Sequence, residues 1–203
     1  MSGRQVSIDE LIAVWLLREK EGALAFARQF GLLRRFGLSE QSALAMINEP
    51  NYSNARENHI HWSLLQFRYP LLHPLCAGIW REETMLENRF KNLMAINQDR
   101  AWIILSDKTG KLSTVATNAY KADYHSNDKE INGMKRTIKR ILSSKIDTTF
   151  FIMKIEESEL MTILEGNKNA VALYIRDFVE RKGTFEPFKF FMGHLASKSF
   201  WQW

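Results

Sequence analysis

Few groups of side chains in this sequence could do chemistry, and the most concentrated of them is cationic. Residues 129–145, KEINGMKRTIKRILSSK, hold Lys129, Lys135, Arg136, Lys139, Arg140 and Lys145 against one acid, Glu130. The segment therefore carries a net +5, which equals the formal charge of the whole 203-residue chain. Charge gathered in this way attracts an anionic visitor across roughly a Debye length of about 8 to 10 Å, whether phosphate backbone or acidic protein. Lys135, Arg136, Lys139 and Arg140 are the candidate partner-binding residues, for an acidic protein or, as the alternative, a nucleic acid. A merely solvated helix face is the plainer expectation.

The other clusters say less. His59 and His61 in "HIH" have the look of a metal pair, yet no third ligand stands near them in sequence, so no metal site is expected. Asp147, Lys154 and Glu156 flank one apolar stretch. A metal-dependent nuclease uses those residue types, and so does any solvated strand edge. Phe200, Trp201 and Trp203 could stack bases beside the basic segment or dock into their own domain. None of the motifs GxxxxGK[ST], GxGxxG, HExxH or GxSxG occurs, and no cofactor is expected. The single Cys76 excludes a disulfide framework and a cysteine-rich zinc site, and reads as a small buried hydrophobe.

The elements that must position these residues come next. Ser7 and Glu10 form a capping box for a helix to about Glu21, followed by a second helix from roughly Ala23 to Phe36. Gly37 and Ser39 stop that helix and cap another, Glu40 to Ile47. Helix, glycine turn and helix outline a DNA-reading motif, but SEQSALAMINE has two acids and no Lys or Arg. Phosphate would repel it, and plain helical packing is expected.

Polar, turn-rich residues 48–60 suggest a boundary, giving a helical N-terminal region 1–58 and an α/β domain 59–203. Glu82 to Ile96 reads as a helix, and AWIILSDKTGKLSTVATNAY (101–120) as a β-hairpin turning at Asp107 to Gly110. In the basic helix, Ile131, Met134, Ile138, Ile141 and Leu142 share one buried face. TTFFIMKIEE (148–157) is a strand, residues 158–183 one or two helices broken near Gly166, and FEPFKFFMGH a closing strand. The fold class is α+β: a mixed sheet of about four or more strands, in β-β-α-β-α-β order, packed with helices. No window of 18 apolar residues exists, and the run Leu11 to Leu17 lacks the shape of a secretory signal. The expectation is a cytoplasmic protein with no transmembrane segment.

NLMAINQDRAWIILSDKTGKLSTVAT, FFIMKIEE, VALYIRDFVERKGTFE and PFKFFMGH together resemble the toxin-activating lysine acyltransferases. The likeness lies in the C-terminal half and leaves about the first 70 residues unmatched. It implies an acetyltransferase-like fold that moves a fatty acyl chain from acyl carrier protein to a protein lysine. It also implies docking of that acidic carrier on the basic helix. The family's histidine falls near Trp80 and its aspartate near Met153, which leaves His73 as the candidate catalytic base. Amides splayed between strands would supply the oxyanion donor, and Trp102, Ile104, Phe150 and Ile152 would line an acyl channel. The reading includes a chain that keeps the fold and lacks the activity.

Overall fold

The computed structural model describes residues 3–68, 72, 75–95, 99–156 and 160–196. The chain forms two compact units, Val6–Ala77 and a second that joins Met1–Gln5 to Gly78–Trp203. The first unit is thus inserted between two strands of the second.

The helical unit contains helices Ile8–Arg18, Lys20–Gln29, Leu32–Arg35, Glu40–Asn48 and Ala55–Leu64. Side-chain caps start three of them. Ser7 Oγ accepts from the Glu10 amide at 3.1 Å, Ser39 Oγ from that of Ser42 at 3.0 Å, and Asn54 Oδ1 from those of Arg56 and Glu57. Gly31, at φ 64°, divides the single helix expected over 23–36.

The boundary expected at residue 58 falls inside the helix Ala55–Leu64, whose Ile60 and Leu64 are buried with Leu11, Trp15 and Ile47. What reads as a linker is instead a polar contact: Asn58 Nδ2 and Trp62 Nε1 donate to the two oxygens of Asp9, at 3.1 and 3.2 Å. Cys76 is exposed rather than buried, because Leu75 is the residue of that helical turn that turns inward. His59 and His61, two apart on a helix rather than a strand, point different ways, one exposed and one buried. No group among the described residues could hold a metal ion.

The second unit is built on a mixed sheet of strands β1 (Arg4–Gln5), β2 (Ile79–Met85), β3 (Leu93–Met94), β4 (Phe151–Ile155), β5 (Met161–Glu165) and β6 (Phe188–Leu195). Their order is β1-β2-β6-β4-β5-β3. The pairs β4–β6 and β3–β5 are parallel, and the others antiparallel. The α+β class with a mixed sheet is as expected, and β4 and β6 lie in segments expected as strands, but β1, β2, β3 and β5 come from other segments.

The expected hairpin is two helices, Arg100–Leu105 and Leu112–Tyr120. Its turn exists, with Asp107, Lys108 and Gly110 all at positive φ, but it joins helices. Leu112, Val115 and Ala116, at i, i+3 and i+4, are the buried set. Glu82 to Ile96, expected as a helix, supplies β2, the short helix Glu87–Lys91 and β3 over its described residues. Met161–Glu165, expected as helix, is β5, and only after Gly166 does a helix begin, Asn167–Tyr174, continuing into a π-turn at Ile175–Val179. No helix among the described residues is long and apolar enough to cross a membrane.

One ring organises the core. Phe90, fully buried, lies 5.3 to 6.4 Å from the rings of Phe150, Tyr174, Phe178, Phe185 and Phe188. On β2, Trp80 covers its register partner Gly193, where an added Cβ would meet the indole at 2.7 Å. Gly193→Ala should therefore cost about 1 to 3 kcal/mol by overpacking, read as a lower urea midpoint.

A second prediction concerns His61, only 1% exposed, whose ring nitrogens make no well-formed hydrogen bond. Burial pushes its pKa below the ordinary 6.5, although Glu57, 4.0 Å away, and the Met46 carbonyl oppose the shift. The unfolded chain then takes up the proton first, so stability is full above the unfolded pKa and falls as pH drops below about 6.5. The urea midpoint should decline between about pH 7 and 5.5, and His61→Leu should flatten that decline.

Candidate functional site

The basic helix is Lys129–Leu142, close to its expected span. Asp128 caps it, one oxygen accepting from the amides of Glu130 and Ile131 at 3.1 and 3.2 Å. Its other oxygen holds Arg100 at 2.6 Å, and Arg100 also reaches Glu130 at 3.3 Å. Ile131 and Ile138 are buried, as the apolar periodicity required, while Arg136, Lys139 and Arg140 are exposed.

Lys135 behaves differently from those three. Its ammonium lies 2.5 Å from the Lys121 carbonyl, 2.9 Å from that of Tyr124 and 3.4 Å from that of Ala122. It thereby fastens the loop that leaves the helix Leu112–Tyr120. Desolvation at this spot pushes its pKa below the ordinary lysine value. The same loop is held from its other side by Tyr124, whose hydroxyl is 2.5 Å from Asp107 Oδ1 and 2.9 Å from the Ile104 carbonyl. Asn118 donates to the second Asp107 oxygen at 2.9 Å. Burial and the Asp107 contact push the Tyr124 pKa up to about 12, and the Tyr124 and Asn118 bonds lower that of Asp107.

Between the basic helix, the end of the helix Leu112–Tyr120 and the π-turn runs a groove of about 590 Å³. Its apolar lining includes Ala119, Ile138, Leu142 and Ile175, with Tyr120 half exposed at 51%. Lys121, Arg136 and Lys139 line it as cations that make no ion pair among the described residues. Glu180 is the one acid in the lining, and Lys182 already neutralises it at 3.2 Å.

The four cations expected to bind a partner therefore divide. Arg136 and Lys139 stand on the groove, Arg140 is exposed one helical turn from Arg136 and outside the lining, and Lys135 lines the groove with its charge already engaged by carbonyls. His73, Phe200, Trp201 and Trp203 lie outside the described residues.

The elements expected around an acyl channel are not all on the sheet. Trp102 and Ile104 belong to the helix Arg100–Leu105, whereas Ile152 is on β4 and Phe150 immediately precedes it, both in the core. β4 and β6 are paired through all five residues Phe151–Ile155, with the flanking Phe191 and Glu156 amides bonded across at 2.9 Å. Asp147 precedes β4 and Glu156 follows it, so strand length separates them by about 16 Å or more. Asp147 instead accepts from the Thr149 amide at 2.8 Å.

One polar cluster was not read from the sequence. On one face of the sheet, Glu83 receives both Arg89 Nη atoms on one oxygen at 3.1 Å and faces His194 Nε2 with the other at 3.3 Å. Lys154 is the β4 register partner of His194, so the two side chains share that face. Glu83 and His194 are 111 residues apart, and no local pattern joins them. Their signal was only the alternation of FKFFMGH, which puts the histidine in line with Phe190 and Met192.

Comparison with protein-family models, with curated proteins and with solved structures finds no match to this chain.

The division of the cations has a measurable consequence. Lys135→Met should destabilise the second unit by about 1 kcal/mol, because three carbonyls lose a charged donor. Arg136→Gln and Lys139→Gln should each stay within about 0.5 kcal/mol of the parent in urea unfolding.

Proposed function

We propose that the protein docks an acidic, amphipathic helix of a protein partner in the groove beside the basic helix. The observation that carries this reading is a set of cations, Lys121, Arg136 and Lys139, that make no ion pair among the described residues and line a partly apolar groove. A phosphate backbone needs the cations but has nothing to place on the accessible apolar lining, Tyr120 and Leu142. An amphipathic helix supplies both, with apolar side chains at i, i+3 and i+4 entering the groove and flanking acids meeting the rim. Pre-paired Glu180 offers that partner little repulsion. Acyl carrier protein, acidic and helical, is a partner of this chemistry, and transfer of its acyl group to a protein lysine is the activity such docking would serve.

Titration calorimetry of the full chain with acyl-loaded carrier protein tests the reading, with the masses of both proteins read afterwards. A saturable complex is expected, weakened about tenfold or more by Arg136→Glu with Lys139→Glu and by raised salt. Absence of a complex, or one indifferent to the double reversal, would overturn it. Retention of RNA or DNA lost through the same reversal, with no carrier complex, would establish the nucleic-acid alternative instead.

A further inference from the structure

A second concavity, of about 730 Å³, opens where the helix Glu87–Lys91, the β3–β5 edge and the start of the helix Leu112–Tyr120 meet. Arg89, Lys91, Lys111 and Lys154 line it, and no carboxylate among the described residues does. Arg89 is held by Glu83 at 3.1 Å and Lys91 by Glu87, two acids outside the lining. Lys111 and Lys154 make no ion pair among the described residues. Two positive charges with no ion pair among the described residues therefore face one cleft.

The remaining lining is chemically divided. Asn88 and Ser113 add neutral hydrogen-bonding groups, while Met94, Met161 and the 55% exposed Leu160 form an apolar wall. Arg89 is a firm part of the cleft, its guanidinium forked on Glu83 and lying 5.4 Å over the Phe190 ring. Glu83 is in turn engaged by His194, which stands beside Lys154 on the neighbouring strand.

We propose that this cleft binds a small phosphorylated molecule, with its phosphate between Lys111 and Lys154 and its apolar body against Leu160 and Met94. A dianion matches the two free charges, whereas a monoanion would leave one unmatched. A divalent cation finds no carboxylate there among the described residues. The volume lies within the range of roughly 300 to 1,000 Å³ that encloses a small ligand. The site goes beyond the groove and stands or falls separately from it.

Calorimetric titration of the full chain with adenosine 5′-monophosphate, and separately with inorganic phosphate, tests this. Saturable binding of the nucleotide is expected, tighter than that of inorganic phosphate. Lys111→Gln and Lys154→Gln should each weaken it, and the double variant by about tenfold or more. Lys168→Gln, an exposed lysine elsewhere, should leave it unchanged. Circular dichroism melting checks that each variant is folded. No saturable binding of either probe, or equal affinity in a folded Lys111 or Lys154 variant and the parent, would overturn the proposal. Equal affinity for nucleotide and inorganic phosphate would overturn the role of the apolar wall.

Discussion

The second unit depends on burying Phe90. That residue comes from a five-residue helix too short to be stable in isolation, and five surrounding rings fix its position. Because those rings come from the lead into β4, from the Tyr174–Phe178 turn and from the approach to β6, one side chain ties three separate chain segments to the sheet. The same short helix carries Arg89 and Lys91. Packing of Phe90 inward therefore sets which way both cations face, and the charged lining of the cleft follows from an aromatic core.

Cations in this protein fall into two kinds, and their contacts separate them. Lys135 and Arg100 are turned toward the chain itself, one onto carbonyls and the other onto Asp128 and Glu130. Both hold the surroundings of the basic helix in place. Arg136, Lys139 and Lys121 make no ion pair among the described residues. The cations of those seventeen residues are thus not equivalent to a partner, since Lys135 is turned onto three backbone carbonyls.

Where sequence and structure agree, the determinant is local. Ser7 and Ser39 cap helices through atoms three residues away, and the apolar stripe of Lys129–Leu142 follows from helical spacing alone. β4 and β6 are aromatic and β-branched enough to be read as strands. Where they part, the determinant is distant. β2 reads as helix because IWREETM is rich in helix-forming charges. In the sheet those charges are cross-strand partners, Glu82 with Arg4 and Lys189, Glu83 with His194. β5 is five residues long, and so short an apolar run has no period that distinguishes strand from helix. The supposed hairpin failed for the same reason, because AWIIL satisfies both alternations at once. The groove was half legible: Arg136 and Lys139 could be named, but Lys121 could not, and the lining also draws on Ile175 from a segment more than thirty residues on.

The position of β6 has a bearing on how the chain is made. It is the last strand among the described residues, yet it lies between β2 and β4 and pairs with both. Until a ribosome has delivered it, β2 and β4 present unpaired edges with no neighbour between them, while Val6–Ala77 has long since emerged as a unit of local helices. Assembly of the sheet is therefore deferred until Phe188–Leu195 has been made. A product truncated before Phe188 would carry a finished helical unit attached to strands prone to aggregate.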